Sequence, residues 1–92
     1  MTAAMTMEQQ RSLARSLDRA ARCGTWKVEA ARLYRGTLFV EERLMTAHGD
    51  CSIHLAADSA GRYRQIESRQ WWDWIERRGE PVPLPYARGG RS

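Results

Sequence analysis

Three of the chain's four tryptophans stand within four residues, at Trp71, Trp72 and Trp74, with Asp73 among them and arginines on both sides. A tryptophan side chain buries about 150–250 Å². In a chain of 92 residues such a cluster forms the centre of a core, the centre of an interface, or both. A chain this short buries only about 60–65% of its unfolded surface. One domain with one thin core is therefore expected, and a second core is not.

Helical geometry divides the cluster. Ser68 suits an N-cap and Gly79 a stop, which frames a short helix over residues 69–78. At 100° per residue, Trp74, Trp71, Ile75 and Trp72 span about 160° of the wheel, and Glu76, Arg69, Asp73, Arg77 and Gln70 take the remainder. Trp71 and Ile75, at the middle of the apolar face, are expected in the core. Trp72 and Trp74 lie at its edges, and at least one is expected at the surface.

Upstream, Thr6 followed by Gln9 has the form of a capping box, and Gly24 supplies a stop, framing a helix over residues 7–23. Leu13, Leu17, Ala20, Ala21 and Ala14 share one side of it; Arg11, Arg15, Arg19 and Arg22 cluster within about 80° on the opposite side. From Thr25 the period changes to two. Trp26, Val28 and Ala30 alternate with Lys27 and Glu29, with a slip at Ala30 and Ala31 that predicts a bulge. Residues 37–45, 52–57 and 62–67 read as further strands, joined by turns at Arg35–Gly36 and Asp58–Gly61 and a loop over residues 46–50.

The expectation is an α+β domain over residues 6–79: an N-terminal helix, an antiparallel meander sheet of three to four strands, and a short C-terminal helix packed on the sheet. Such sheets usually cover one face and leave the other wet. Residues 1–5 read as a disordered lead-in. Residues 80–92 read as an extended Pro/Gly/Arg tail, in which Pro81, Pro83 and Pro85 alternate with Val82, Leu84 and Tyr86. Val82 or Leu84 is expected to pack against the body.

The formal net charge is +4, from fourteen arginines and the single Lys27 against eleven acids. The sign favours an anionic partner, although a GC-rich genome alone would favour Arg over Lys. No run of about 18 apolar residues exists to cross a membrane, and the start of the chain does not read as a secretory signal. Cys23 and Cys51 are too few for a disulfide framework and read as free thiols in a reducing cytoplasm.

Catalytic patterns are missing. His48, Cys51 and His54, with Cys23, number enough for zinc but lack paired ligand spacing, and Cys51 and His54 would face opposite sides of a strand. Glu41 and Glu42 are adjacent, so on a strand they too face opposite ways and cannot act as an acid–base pair. No phosphate-cradling glycine loop or nucleophile elbow is present. The reading is a non-enzymatic protein without cofactor or metal.

A small sheet with flanking helices, an arginine-rich surface and the late aromatic helix Ser68, Arg69, Gln70, Trp71, Trp72, Asp73, Trp74, Ile75 resembles, in layout, small phage and mobile-element inhibitors of host defence such as anti-CRISPR proteins. Many of those are acidic DNA mimics, whereas this chain is basic. The resemblance implies a CRISPR effector protein or its guide RNA as partner. The expected function is docking on, and blocking, a protein or ribonucleoprotein complex through Arg11, Arg15, Arg19, Arg22, Trp72, Trp74 and Arg77, since Trp and Arg dominate interface hot spots. The alternatives are a nucleic-acid-binding regulator that places the arginine stripe on phosphates, and a homo-oligomeric module.

Overall fold

The computed structural model describes residues 4–84. The period-two segments form one antiparallel sheet: β1 (Trp26–Tyr34), β2 (Thr37–Thr46), β3 (Gly49–Ala57), β4 (Tyr63–Ile66) and β5 (Glu80–Pro81), in the order β4-β3-β2-β1-β5. A helix packs on each face. On one side lies α1 (Met7–Arg22); on the other lies a continuous helical stretch built of α2 (Ser68–Gln70), a π-helical turn (Trp71–Ile75) and α3 (Glu76–Arg78). The α+β layout is as the sequence predicts.

The expectation of one wet face is corrected. Successive residues of a strand point to opposite sides, and here both sides are apolar. Leu13 of α1 joins Val28, Ala31, Leu33, Leu38, Val40 and Ala57 in one cluster, while Phe39, Ala56, Ile66, Trp71 and Ile75 form a second on the far face. Two small cores share one sheet. Their separation rests on a bulge in β1, where the pairing shifts between Val28 and Ala30 and leaves Glu29 extra. The shift brings Ala31 and Leu33 onto the face of Val28 and turns Ala30 and Tyr34 to the other.

The buried side of α1 is also not the one expected. Gln9, Ser12, Leu13 and Ser16 face the sheet and Leu17 and Ala20 pack beside them, while Ala14 and Ala21 are exposed. The helix is seated by hydrogen bonds as much as by apolar contact. The Gln9 amide donates to the carbonyls of Gly36 (2.9 Å) and Ala57 (3.2 Å), and Thr6 donates to the Ser59 carbonyl (2.8 Å). Ser12 donates to the Gly61 carbonyl, and Ser16 meets the Tyr63 hydroxyl at 3.0 Å. Thr6 and Gln9 form the predicted capping box.

The segment after the second helix is not free either. Glu80 and Pro81 pair with Leu33 and Arg32 at the edge of β1, Val82 donates to the Ala31 carbonyl (2.9 Å), and Leu84 is buried in the α1-side cluster. A fifth strand thus exceeds the three to four expected, and residues 80–84 belong to the body. Of the expected lead-in, Met5 packs against the same cluster. The rest of the predicted tail, residues 85–92, and the first three residues lie outside the described residues.

Two measurements probe this packing. Gly61 has φ +79°, and a Cβ there would stand 2.5 Å from the Glu8 carbonyl oxygen in α1. Gly61→Ala is expected to cost about 1–3 kcal/mol in urea unfolding, whereas Gly24→Ala, with nothing within 4 Å, stays within about 0.5 kcal/mol. Burial pushes the Tyr63 phenol above its ordinary value. Below about pH 10 the phenol is neutral in both states; above it the unfolded chain ionises first, so stability falls with rising pH. Tyr63→Phe should flatten that fall.

Candidate functional site

The second helix is tied down at its start. Glu67, not Ser68, is the N-cap, and its N–H is accepted by the Gln70 side chain at 3.3 Å. Ser68 is freed for another task. Its hydroxyl lies 2.7 Å from Nδ1 of His54, whose Nε2 lies 3.0 Å from Oε2 of Glu41. Nε2 donates to the Glu41 carboxylate, and the Ser68 hydroxyl, which can donate or accept, completes the bond at Nδ1. Glu41 and His54 face each other directly across β2 and β3, so the pair is built by strand register.

His54 is fully buried, and Trp71 stacks on it at 5.1 Å between ring centroids with planes 30° apart. Trp71 is 1% exposed, and its N–H finds no acceptor among the described residues. Stacking and apolar contact with Ile66, Phe39 and Ile75 hold the ring.

The π-helical turn decides the outer residues. The Glu76 N–H reaches back to the Trp71 carbonyl, five residues earlier, so each residue turns through less than the 100° of an α-helix. Trp71 and Ile75 bracket the inward direction, and Trp72 and Trp74 swing out on the two flanks. Their exposures are 51% and 48%. Both edge tryptophans reach the surface, where the sequence required at least one.

The flanks differ. Trp72 meets His54 edge-on at 5.5 Å. Trp74 is more firmly fixed: its N–H donates to the Tyr34 hydroxyl (3.1 Å), and the Arg78 guanidinium lies 3.8 Å from the ring centroid. Beside Trp74 a cleft of about 460 Å³ opens between helix and sheet, lined also by Tyr34, Phe39, Ile66, Ile75, Arg64, Arg69, Gln70 and Asp73. Arg77 is exposed on the same helix.

The predicted site residues do not converge. Arg11, Arg15, Arg19 and Arg22 lie on α1, on the face of the sheet opposite Trp72, Trp74 and Arg77. Most of the stripe is engaged within the chain. Arg11 pairs with Glu8 (2.9 Å), Arg22 with Asp18 (3.2 Å), and Arg19 with Glu42 (3.0 Å) while lying 4.8 Å above the Trp26 ring. Arg15 meets only the Ser12 hydroxyl, at 3.1 Å, among the described residues. His48, Cys51 and His54 do not converge either: His48 sits in the β2–β3 turn, and Cys51 and His54 face opposite sides of β3. Among the described residues no three His, Cys, Asp or Glu side chains could hold one ion.

Pattern reading missed the Glu41–His54–Ser68 chain, because its members are 13 and 14 residues apart and only pairing register brings them together. Hydroxyl, imidazole and carboxylate stand in the order of a hydrolase triad, yet His54 lies beneath the tryptophans and neither it nor Ser68 lines the cleft. The chain's effect is to seat the helix. The cleft's Tyr34, Arg64 and Arg69 were also missed, since three elements contribute them. The protein matches no family model, no curated protein and no solved structure. No helix among the described residues is long and apolar enough to cross a membrane.

Urea unfolding separates the three tryptophans. Trp71→Ala is expected to lose about 3–5 kcal/mol, and Trp72→Ala and Trp74→Ala each less than about 1.5 kcal/mol, their rings being half in water.

Proposed function

We propose that the chain is a non-enzymatic docking protein that binds a protein or the protein part of a ribonucleoprotein through Trp72, Trp74 and Arg77 and acts by occlusion. One observation carries the reading: two tryptophans, each about half exposed, project from a helix that buried Trp71, Ile75 and the Ser68–His54 bond hold in place. Large aromatics fixed before binding lose little entropy on contact, and Trp and Arg are the residue types richest in hot spots. The layout likeness to anti-CRISPR proteins points to a CRISPR effector as the class of partner. Three of the four stripe arginines are already paired with acids, which supports contact with the effector protein over its guide RNA. The exposed, unpaired Cys23 and Cys51 suit action in a reducing cytoplasm.

Affinity capture followed by titration calorimetry tests this against phosphate binding. Expected: the complex survives nuclease treatment and modest salt, and Arg11, Arg15 and Arg22 all changed to Ala leave it within about threefold. Trp72→Ala with Trp74→Ala weakens it by about 2 kcal/mol or more, roughly 30-fold. A complex lost with the arginines, steeply salt-dependent and indifferent to the tryptophans would transfer the function to nucleic acid.

A further inference from the structure

The cleft beside Trp74 has a chemistry of its own. Its floor is apolar: Phe39, Ile66 and Ile75 are all buried. Tyr34 and Trp74 line it as well, joined by the hydrogen bond between them. Its volume of about 460 Å³ falls in the range of about 300–1,000 Å³ found for ligand sites, with room for an aromatic or branched side chain.

The rim is positive. Arg64 and Arg69 line the cleft, Arg78 lies over Trp74 and Arg35 over Tyr34. Among the described residues none of these four has a carboxylate at ion-pair distance, in contrast to Arg11, Arg19, Arg22, Arg43 and Arg62. One acid, Asp73, shares the lining. Unpaired guanidinium groups around an apolar floor attract an anion that carries an apolar body.

We propose that this cleft receives an acidic peptide segment of the protein partner, with an apolar side chain on Phe39, Ile66 and Ile75 and flanking carboxylates on Arg64 and Arg69. The inference rests on the docking reading in taking the partner to be a protein. Nucleobases fit the cleft less well. Reading a base needs acceptors as well as donors at its edges, and here the Tyr34 and Gln70 oxygens already accept from Trp74 and Glu67, which leaves donors in excess. Arg78 occupies one face of the Trp74 ring, which removes it as a stacking surface for a base.

Fluorescence anisotropy with the intact protein provides the test. The probes are a labelled peptide with Leu-Phe between runs of glutamate, the same peptide with lysine flanks, the same with a Gly-Ser centre, and a short oligothymidine. The acidic peptide is expected to bind, and either peptide change to weaken it by about tenfold or more. Arg64→Glu combined with Arg69→Glu, both at exposed positions, should cost about tenfold with an unchanged urea midpoint. Trp72→Ala, on the other flank, should leave peptide binding within about twofold. No binding of the acidic peptide, equal binding of the lysine peptide, indifference to the arginine pair, or tighter binding of oligothymidine overturns the proposal. Capture of the partner that still depends on Trp72 would then leave the docking reading standing; peptide binding beside a capture that ignores Trp72 would do the reverse.

Discussion

Two adjacent carboxylates on the central strand hold both sides of the molecule together. Glu41 and Glu42 of β2 point to opposite faces, as neighbours on a strand must, and each is bonded to what covers its face. Glu42 is 1% exposed and accepts from Arg19 of α1 and from the Trp26 indole. Glu41 holds His54, and His54 holds Ser68 at the start of the second helix. A buried charge left without its partner costs about 3–5 kcal/mol. Each helix therefore has a specific position that a merely apolar contact would leave free to slide.

This anchoring matters most for the second helix. Residues 68–78 are few for an isolated helix in water, which is marginal below about 12–15 residues. With Ser68 bonded and Trp71 stacked on His54, the ring positions of Trp72 and Trp74 are set by the sheet. The surface that carries the proposed function is thereby tied to the core beneath it, and the cleft beside Trp74 inherits its shape from β1, β2 and β4.

Much of this was legible in the sequence, and the exceptions share a cause. The capping box that starts α1, the meander of β1 to β4 and the split between Trp71 with Ile75 and Trp72 with Trp74 follow from local pattern, whereas the second helix is capped by Glu67 where Ser68 was expected. The inward side of α1 was not legible, because Gln9, Ser12 and Ser16 look like a solvent face until the carbonyls of Gly36, Ala57 and Gly61 and the Tyr63 hydroxyl are placed opposite them. The second core was hidden in the same way: the glycine-and-turn punctuation gives the strands, but a bulge at Glu29 decides which residues of β1 face which helix. The arginine stripe was visible as a pattern and its pairing only in part: Glu8 with Arg11 and Asp18 with Arg22 stand at helical spacing, whereas Glu42 is brought to Arg19 by the fold alone. Glu80 and Pro81 carried too little periodicity to announce a strand.

The bonds that seat α1 have a temporal meaning. They join the first helix to carbonyls 27, 48, 49 and 53 residues later in the chain. Loop closure over such separations slows folding, and during synthesis from the N-terminus the helix emerges well before the turns that receive it. Until the β3–β4 turn has been made, β1 and β2 already offer α1 the apolar surface of Val28, Ala31, Leu33, Leu38 and Val40, but the carbonyls of Ser59 and Gly61 are still missing. The full set of bonds that seats the helix is thus closed by the later turns of the chain, although the helix itself is made first.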